Sequence, residues 1–253
     1  MTEQLNDAAA TAAELAGEAA GLSGKDLLLW AGQRFEGRLA FATSLGLEDQ
    51  VLTDLIVRSG AKIPLFTIDT GKLPEQTLRL IEQTERRYCL EIEVLRPDAE
   101  EVRKMTRRHG PAPYYTSVEL RKLCCHVRKV AVLRRRLAGL DAWVCGLRRE
   151  QSVTREDVDT VQWDGANRLV KLNPLADWTL DKVWTYVRKH DVPYNALHDE
   201  NYPSIGCLPC TRAVLAGRDI RSGRWWWEEP EQKECGLHVV QGRLVRKGER
   251  LAH

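Results

Sequence analysis

RLAFATSLGLED, residues 38–49, is the stretch that decides the fold. Residues 38–43 are mostly apolar, which predicts a buried strand, and a helical pattern begins at Glu48 after a turn that contains Ser44 and Gly46. The same order recurs further along the chain. We predict helices at 48–59 and 73–88 and strands at 63–68 and 91–95. This alternation predicts an α/β protein with a mostly parallel, twisted sheet and flanking helices.

The rest of the pattern divides the chain into three parts. Residues 1–35, rich in Ala, Leu and Glu, are predicted to form an N-terminal helical segment, and residues 36–225 the α/β domain. Residues 226–253 lack clear periodicity, which predicts a flexible C-terminal tail. Within the domain we further predict a long basic helix at 118–137, a strand at 141–145 and a helix at 180–190.

The charge balance excludes several classes of protein. In 253 residues, 38 Lys and Arg stand against 36 Asp and Glu, a net charge of +2, and 43% of residues are hydrophobic. That composition is not disordered or collagenous, and it supplies no overall field to hold nucleic acid. The apolar run Leu27–Ala31 is far shorter than the ~20 residues that span a bilayer, and no signal peptide precedes it. We therefore expect a cytoplasmic protein that binds neither membranes nor nucleic acid.

Two strand ends have the composition of an anion site. Ser44 and Gly46 would present backbone N–H groups at the positive end of a helix dipole, although Ser44 or Asp49 could equally serve as a simple helix cap. The next strand ends in Asp69-Thr70-Gly71, which could also be an ordinary turn. Side by side, the two strand ends predict a nucleotide pocket.

The cysteine spacing is more specific. Of seven cysteines, Cys124 and Cys125 are adjacent on the basic helix, and Cys207 and Cys210 form a C-x-x-C pair. Four thiolates suit zinc or an iron–sulfur cluster. Neighbouring helical residues point ~100° apart, which favours a cluster with separate irons over one zinc ion. Two chance pairs of buried thiols remain the alternative. Cys89 and Cys145, inside apolar patterns, are predicted to lie in the core.

Basic residues stand near these features. Arg128 and Lys129 follow the cysteine pair by about one helical turn and could offset its negative charge. Arg155, Arg221 and Arg224 could bind sulfate or phosphate oxygens, and ordinary surface ion pairs are the alternative.

A lone cysteine lies near the C-terminus. Cys235 has Lys233 before it and His238 after it. Cationic neighbours lower the pKa of a thiol and raise its thiolate fraction, so Cys235 is a candidate nucleophile.

Together these motifs resemble the assimilatory adenylylsulfate/phosphoadenylylsulfate reductase family, specifically its iron–sulfur type that reduces adenosine 5′-phosphosulfate (APS). The resemblance extends from about Phe41 to His238. Its motifs are SLGLED at 44–49, DTG at 69–71, the pair Cys124-Cys125 with Arg128-Lys129, C-x-x-C at 207–210, R-x-x-R at 221–224, and ECGLH at 234–238.

The resemblance implies an adenine nucleotide alpha hydrolase-like fold with a mobile C-terminal tail. It implies that Cys235 attacks the sulfate sulfur, that AMP leaves, and that thioredoxin releases sulfite from the S-sulfocysteine. Cys124, Cys125, Cys207 and Cys210 would hold a [4Fe-4S] cluster. Lys129 and His238 would join Cys235 as catalytic residues. The substrate would be bound by Ser44, Gly46, Glu48, Asp49, Asp69, Thr70, Gly71, Arg128, Arg155, Arg221 and Arg224.

Several alternatives stay open at this point. The substrate could be the 3′-phosphorylated nucleotide (PAPS), or the enzyme could accept both. An iron–sulfur, ATP-using tRNA thiolation enzyme and a non-enzymatic zinc or redox-sensing module are the rival classes. The sequence also leaves homo-oligomerisation open.

Overall fold

The computed structural model describes residues 11–151, 155–215, 217–229 and 233. Six strands form one sheet in the order β3-β2-β1-β4-β6-β5. The strands are β1 (Leu39–Ala42), β2 (Leu65–Ile68), β3 (Ile92–Leu95), β4 (Ala142–Val144), β5 (Val161–Asp164) and β6 (Leu169–Leu172). All neighbours pair in parallel except β5 with β6. The predicted α/β fold with a mostly parallel sheet is therefore confirmed.

Helices cover both faces of this sheet. They are α1 (residues 11–18), α2 (Gly24–Arg34), α3 (Leu47–Ser59), α4 (Glu75–Tyr88), α5 (Ala99–His109), α6 (Val118–Cys125), α7 (Ala131–Leu137) and α8 (Leu180–His190). Across the part of the chain that the structure describes, none of these helices has the length and apolar character needed to cross a bilayer.

The core follows from the alternation of side chains along each strand. Phe41 and Val144 point to a large cluster that also contains buried residues of α2, α3 and α8. Their chain neighbours Ala40 and Trp143 point to the other face, where they pack with Leu133 and Leu137 of α7. Successive strand residues face opposite sides of a sheet, so each strand contributes to both clusters. The N-terminal segment packs into the larger cluster through residues such as Leu15, Leu27 and Leu28.

The long helix predicted at 118–137 is interrupted. Between α6 and α7, residues His126–Val130 form one turn of π-helix, in which the Ala131 N–H donates to the His126 carbonyl, five residues back. A π-turn amounts to one extra residue inserted into an α-helix, and such turns are frequent at functional sites. This one lies directly after Cys124-Cys125.

Two further regions differ from the sequence prediction. Helix α5 was not predicted because most of its residues are charged and Met105 is its buried residue, although Asp98 caps it by accepting from the N–H groups of Glu100 and Glu101. The β5–β6 hairpin occupies a region predicted as loop. Strand β6 is buried along its length, yet it contains Lys171, whose charge breaks the apolar pattern.

The two cysteines predicted for the core have different environments. Cys145 is buried at the end of β4 and its thiol donates to Asn173 Oδ1 over 2.9 Å, as predicted. The prediction for Cys89 is wrong, because this residue is exposed. It caps the end of α4 with φ of 50°, and the left-handed conformation turns it out of the helical pattern.

Candidate active site

A cleft opens at the carboxyl ends of β1, β2 and β4. This is the edge where open parallel sheets bind ligands. It is walled by the loops that follow β1 and β4, by Leu73 in the loop after β2, by the π-turn, and by two segments near the C-terminal end of the described chain, 203–206 and 220–225. The sequence-predicted residues that line it are Ser44, Gly46, Glu48, Asp49, Lys129, Arg155, Arg221 and Arg224.

The turn between β1 and α3 is held by Asp49. Its Oδ2 accepts from both the backbone N–H and the hydroxyl of Ser44, each over 2.6 Å. Gly46 is the N-cap of α3 and provides no side chain there. Leu45, between them, has φ of 59°, an unusual conformation for a residue with a side chain. The turn therefore has a defined shape, with the exposed Ser44 at the cleft and the start of α3 behind it.

Asp49 also joins this turn to the end of β4. The backbone of Gly146 hydrogen-bonds its carboxylate, and a Cβ on Gly146 would overlap Asp49 Oδ1, so this position requires glycine. Burial raises the pKa of Asp49 from 3.8 to about 6, while the hydrogen bonds from Ser44 and Gly146 hold it down. A carboxyl group that titrates near neutral pH is thus placed between two walls of the cleft.

Glu48 lies at the cleft in a partly buried ion pair. Its Oε1 accepts from Arg148 Nε over 2.9 Å and lies 2.8 Å from Arg148 Nη2. Arg148 is itself buried and also donates to the Trp178 carbonyl. The structure therefore gives Glu48 a cationic partner from the loop after β4, and this pairing could not be read from the sequence.

Arg224 is the most tightly held of the cleft cations. It is 8% exposed, its guanidinium lies 4.6 Å from the centre of the Trp225 ring, and it packs on Gly206, where a Cβ would overlap it. Its Nη1 reaches Ser204 Oγ and the Ile205 carbonyl at 3.4 and 3.3 Å. Its Nε is buried without a hydrogen-bond partner among the described residues. Such an unsatisfied cationic donor in a cleft fits an anionic ligand.

Arg221 connects the cleft to the C-terminal segment. Its Nη2 donates to the carbonyl of Lys233 over 2.6 Å. Lys233 stands two residues before Cys235. The sequence-predicted Cys235 and His238 lie outside the described residues.

The four predicted cysteine ligands gather in one cluster. Cys124 and Cys125 end α6, Cys207 and Cys210 bracket a short 3₁₀ turn, and all four belong to a group packed around Tyr114, Met105 and Trp225. Burial, together with charge repulsion from the neighbouring Cys207, Cys125 and Cys124, raises the pKa of Cys210 to about 12. The four sulfurs are therefore near enough to interact electrostatically.

Polar groups surround these sulfurs. Burial raises the pKa of the Cys124 thiol, and the charge and hydrogen bond of Arg128 oppose that rise. Arg128 Nη1 also donates to the Thr70 carbonyl over 2.7 Å, and Thr70 Oγ1 lies 3.2 Å from Cys207 Sγ. Cations and a hydroxyl beside clustered thiols suit a net-negative thiolate-bound group.

The predicted DTG turn contacts the cysteine cluster and does not line the cleft. Asp69 accepts from the Gly71 N–H and from Arg96. Gly71 has φ of 69° and packs against Arg128. Neither these two residues nor Thr70 lines the cleft. The structure thus brings Arg128 and the DTG turn together at the cysteines.

Sequence reasoning missed a histidine that lines the cleft. His198 lines the cleft from a 3₁₀ turn, and its Nε2 is buried without a partner among the described residues. Burial lowers the pKa of His198, which favours the neutral ring. A lone histidine in a turn carries no sequence signal that marks it as a site residue. Of the three tryptophans at 225–227, which the sequence suggests could cover a pocket or tie down the tail, Trp225 lines the cleft.

The chain matches known proteins over most of its length. The phosphoadenosine phosphosulfate reductase domain family matches residues 38–213. An adenosine 5′-phosphosulfate reductase of Allochromatium vinosum is 55% identical over 79% of this chain and 78% of its own, and one of Burkholderia cepacia is 49% identical over 85% of both. One of Sinorhizobium fredii is 43% identical over 95% of both chains.

Solved structures agree at the level of the fold. The phosphoadenylyl-sulfate (PAPS) reductase of Candida auris, solved as a phosphate complex, superposes with a TM-score of 0.67 at 26% identity, covering 80% of this chain and 96% of that one. The FMN adenylyltransferase of Candida glabrata reaches a TM-score of 0.50 at 18% identity, covering 95% of this chain and 86% of that one, a likeness of fold alone.

Proposed function

Since the chain belongs to the phosphoadenosine phosphosulfate reductase domain family, we propose that it reduces adenosine 5′-phosphosulfate to sulfite and AMP in sulfate assimilation. The observation that carries this proposal is the cleft in which the Ser44 turn meets Lys129, Arg221 and Arg224. The start of α3, which no side chain caps, and the cations there suit a nucleotide that ends in a phosphosulfate.

The cations have a defined role in this reaction. A thiolate that attacks a phosphosulfate meets a substrate of its own charge, and negative charge then builds on the phosphate that leaves. Fixed cations in a partly buried cleft stabilise that charge without reorganising. Arg224 is suited to this because its guanidinium is held by Trp225, Gly206 and Ser204 before any substrate binds.

We assign the attack to Cys235. Its Sγ would form a bond with the sulfate sulfur while the bond from sulfur to the bridging oxygen breaks, so AMP leaves with that electron pair and Cys235 carries the SO₃ group. Covalent geometry keeps the Cα of Cys235 within about 7 Å of that of Lys233. Since Lys233 contacts the cleft residue Arg221, this distance supports the assignment. His238 would assist as a nearby proton donor or acceptor.

A dithiol protein such as thioredoxin would complete the cycle. One of its thiolates attacks Cys235 Sγ and expels sulfite, and its second thiol then resolves the mixed disulfide. The two electrons come from the dithiol, which becomes a disulfide, and Cys235 returns as a thiol. We propose that this takes place in the cytoplasm, where dithiol reductants are kept reduced.

Cys124, Cys125, Cys207 and Cys210 would hold a [4Fe-4S] cluster, with Arg128 and Lys129 beside it. Cys124 and Cys125 are neighbours on a helix and point ~100° apart, which favours a group with separate irons over a single zinc ion. When bound, such a cluster would supply a compact charge that orients these cations. Lys129, which lines the cleft, would extend that electrostatic link to the substrate.

The test is the covalent intermediate. In Cys235→Ser, APS should still bind, and the +80 Da sulfonate adduct, about the mass of SO₃, should be absent by mass spectrometry because the nucleophilic sulfur is gone. The exposed Cys89 gives a matched control, Cys89→Ser, which should form the adduct as the unchanged protein does. An adduct on Cys235→Ser would refute the role of Cys235.

The alternative substrate is PAPS, and the likeness to the Candida auris PAPS reductase is the reason to test it. Sulfite release from APS and from PAPS, each with thioredoxin present, separates the two. The rival classes are tested in the same preparation. ATP-to-AMP turnover with copurified RNA would support tRNA thiolation, and bound zinc without an iron–sulfur chromophore near ~400 nm would support a zinc module.

A further inference from the structure

A buried ion pair stands behind the cleft. Arg121 and Glu228 make a two-pronged contact, with Nε to Oε1 at 2.9 Å and Nη2 to Oε2 at 2.6 Å. The exposed fractions of their side chains are 0% and 1%. They are 107 positions apart in sequence, one on α6 and the other just after the three tryptophans.

Trp225 lies between this ion pair and the cleft. The Arg121 guanidinium is 4.7 Å from the centre of the Trp225 ring, and the Arg224 guanidinium is 4.6 Å from the same ring. Trp225 is 2% exposed. We call Glu228, Arg121, Trp225 and Arg224 the arginine–tryptophan stack. It connects a carboxylate far from the cleft to a cation that lines it.

Backbone contacts fix the same segment. The Glu228 N–H donates to the Trp225 carbonyl over 2.8 Å, and the Trp225 N–H donates to the Cys210 carbonyl over 3.2 Å. Trp225 has φ of 41°, a conformation that needs support from its surroundings. Arg224 and Glu228 therefore stand at the two ends of one turn, 224–228, and Glu228 fixes its C-terminal end.

The charges of the stack explain why a carboxylate is needed there. Two guanidinium groups near one buried ring repel each other, and burial removes the water that would screen them. Glu228 compensates Arg121, which leaves the positive charge of Arg224 available to a ligand. Arg121 also hydrogen-bonds the side chain of Cys125, so the same cation touches the cysteine cluster.

We propose that Glu228 is a positioning residue, which holds Arg121 against Trp225 and thereby fixes Arg224 for the anionic end of the substrate. This inference rests on the proposed function, because it takes Arg224 as a ligand of the phosphosulfate. It assigns a role to a glutamate that touches neither the cleft nor the cysteines. The neighbouring Glu229 is exposed and provides a matched control.

The first experiment compares Glu228→Gln with Glu229→Gln in the cluster-loaded protein. Glutamine keeps the size of the side chain but removes the charge that compensates Arg121. KM for APS should rise about tenfold or more in Glu228→Gln, the scale of one lost charged hydrogen bond, and stay unchanged in Glu229→Gln. Iron content and the visible absorption spectrum are measured on both, so that cluster loss is recognised as a separate effect. Equal KM values for the two variants would overturn the proposal.

A double-mutant cycle separates positioning from general structural support. If Glu228 acts through Arg224, then Arg224→Lys combined with Glu228→Gln should raise KM no further than Arg224→Lys alone. Independent effects would multiply, and that result would overturn the proposal even if Glu228→Gln is impaired. If Glu228→Gln does not load iron, Arg121→Lys replaces it in the cycle, since a single ammonium cannot make the two-pronged contact. If the unchanged protein releases no sulfite from APS, the proposed function fails first, and the same cycle on AMP affinity then tests the stack alone.

Discussion

At the scale of single residues, Asp49 has the most unusual environment in the cleft. A buried carboxylate is costly, yet this one accepts two hydrogen bonds from Ser44 and one from the Gly146 backbone. Those bonds join the turns after the neighbouring strands β1 and β4, both of which line the cleft. The hydrogen bonds therefore offset part of the free-energy cost of burying Asp49, and they fix the shape of the cleft.

The raised pKa of Asp49 determines how this residue changes the stability of the protein with pH. Its folded pKa of about 6 lies above the ordinary 3.8, so the folded state takes up the proton more readily than the unfolded state. This carboxyl thus contributes stability that is present below about pH 4 and is lost as pH rises through about 6, on the order of 3 kcal/mol in total.

We predict a carboxyl titration near pH 6 that Asp49→Asn abolishes. It should be visible as a chemical-shift change in protein labelled with ¹³C at the Asp carboxyl carbons. As pH falls below about 6, the protonated side chain loses acceptor strength towards Ser44, and AMP affinity of the unchanged protein should fall over the same range. In Asp49→Asn the fall should be smaller, because only the protonation of the AMP phosphate, whose second pKa is about 6, remains. A titration that persists in the variant would mean that it belongs to another group.

At the scale of secondary structure, the π-turn His126–Val130 sets the relation between cysteines and cations. Before it, Cys124 and Cys125 face the cysteine cluster, and after it, Leu133 faces the sheet. Within it, Arg128 contacts Cys124 while Lys129 lines the cleft. A regular helix would rotate everything after the cysteines by ~100°, the angle of one residue.

We therefore predict that deleting His126, which restores regular helical spacing, disrupts the site. The cysteines and the core residues of α7 could no longer both keep their positions. Sulfite release should fall by about 100-fold, the loss that a misplacement of ~1 Å can cause, while far-UV circular dichroism keeps its helical signal. Because His126 is exposed, His126→Ala should behave as the unchanged protein. Similar activity in the deletion and the substitution would contradict this account of the π-turn.

At the scale of the whole molecule, the residues proposed to bind the nucleotide and the residue proposed to react lie in different parts of the chain. Among the described residues, both sheet cores are built from residues between Leu15 and Val192, and the packing around the cysteines extends to Trp227 and Glu228. The proposed nucleophile Cys235 follows all of them. In the proposed reaction this residue has to meet the nucleotide and then a protein reductant while the cleft stays folded.

A chain that ends at Lys233 should therefore keep the binding site and lose the reaction. We expect its AMP affinity to stay within about threefold of the full chain, less than 1 kcal/mol, because the cleft residues and the Arg221–Lys233 contact remain. Sulfite release should be undetectable. Isothermal titration calorimetry and a sulfite assay measure the two. A large loss of AMP affinity would show that residues after 233 help to form the nucleotide site.

The sequence by itself determined strands β1 to β4, helices α3, α4 and α8, the strand-end turn at 44–49 and the pairing of Cys124-Cys125 with the C-x-x-C. These features are local, since side-chain periodicity and turn chemistry depend on residues a few positions apart. Tertiary structure alone decided that Arg148 pairs with Glu48, that the DTG turn serves the cysteines, and that Glu228 compensates Arg121. Partners such as these are about a hundred residues apart, and no local pattern encodes their contact. They meet because the packing of helices on the sheet brings their buried charges together, and a buried charge requires a partner.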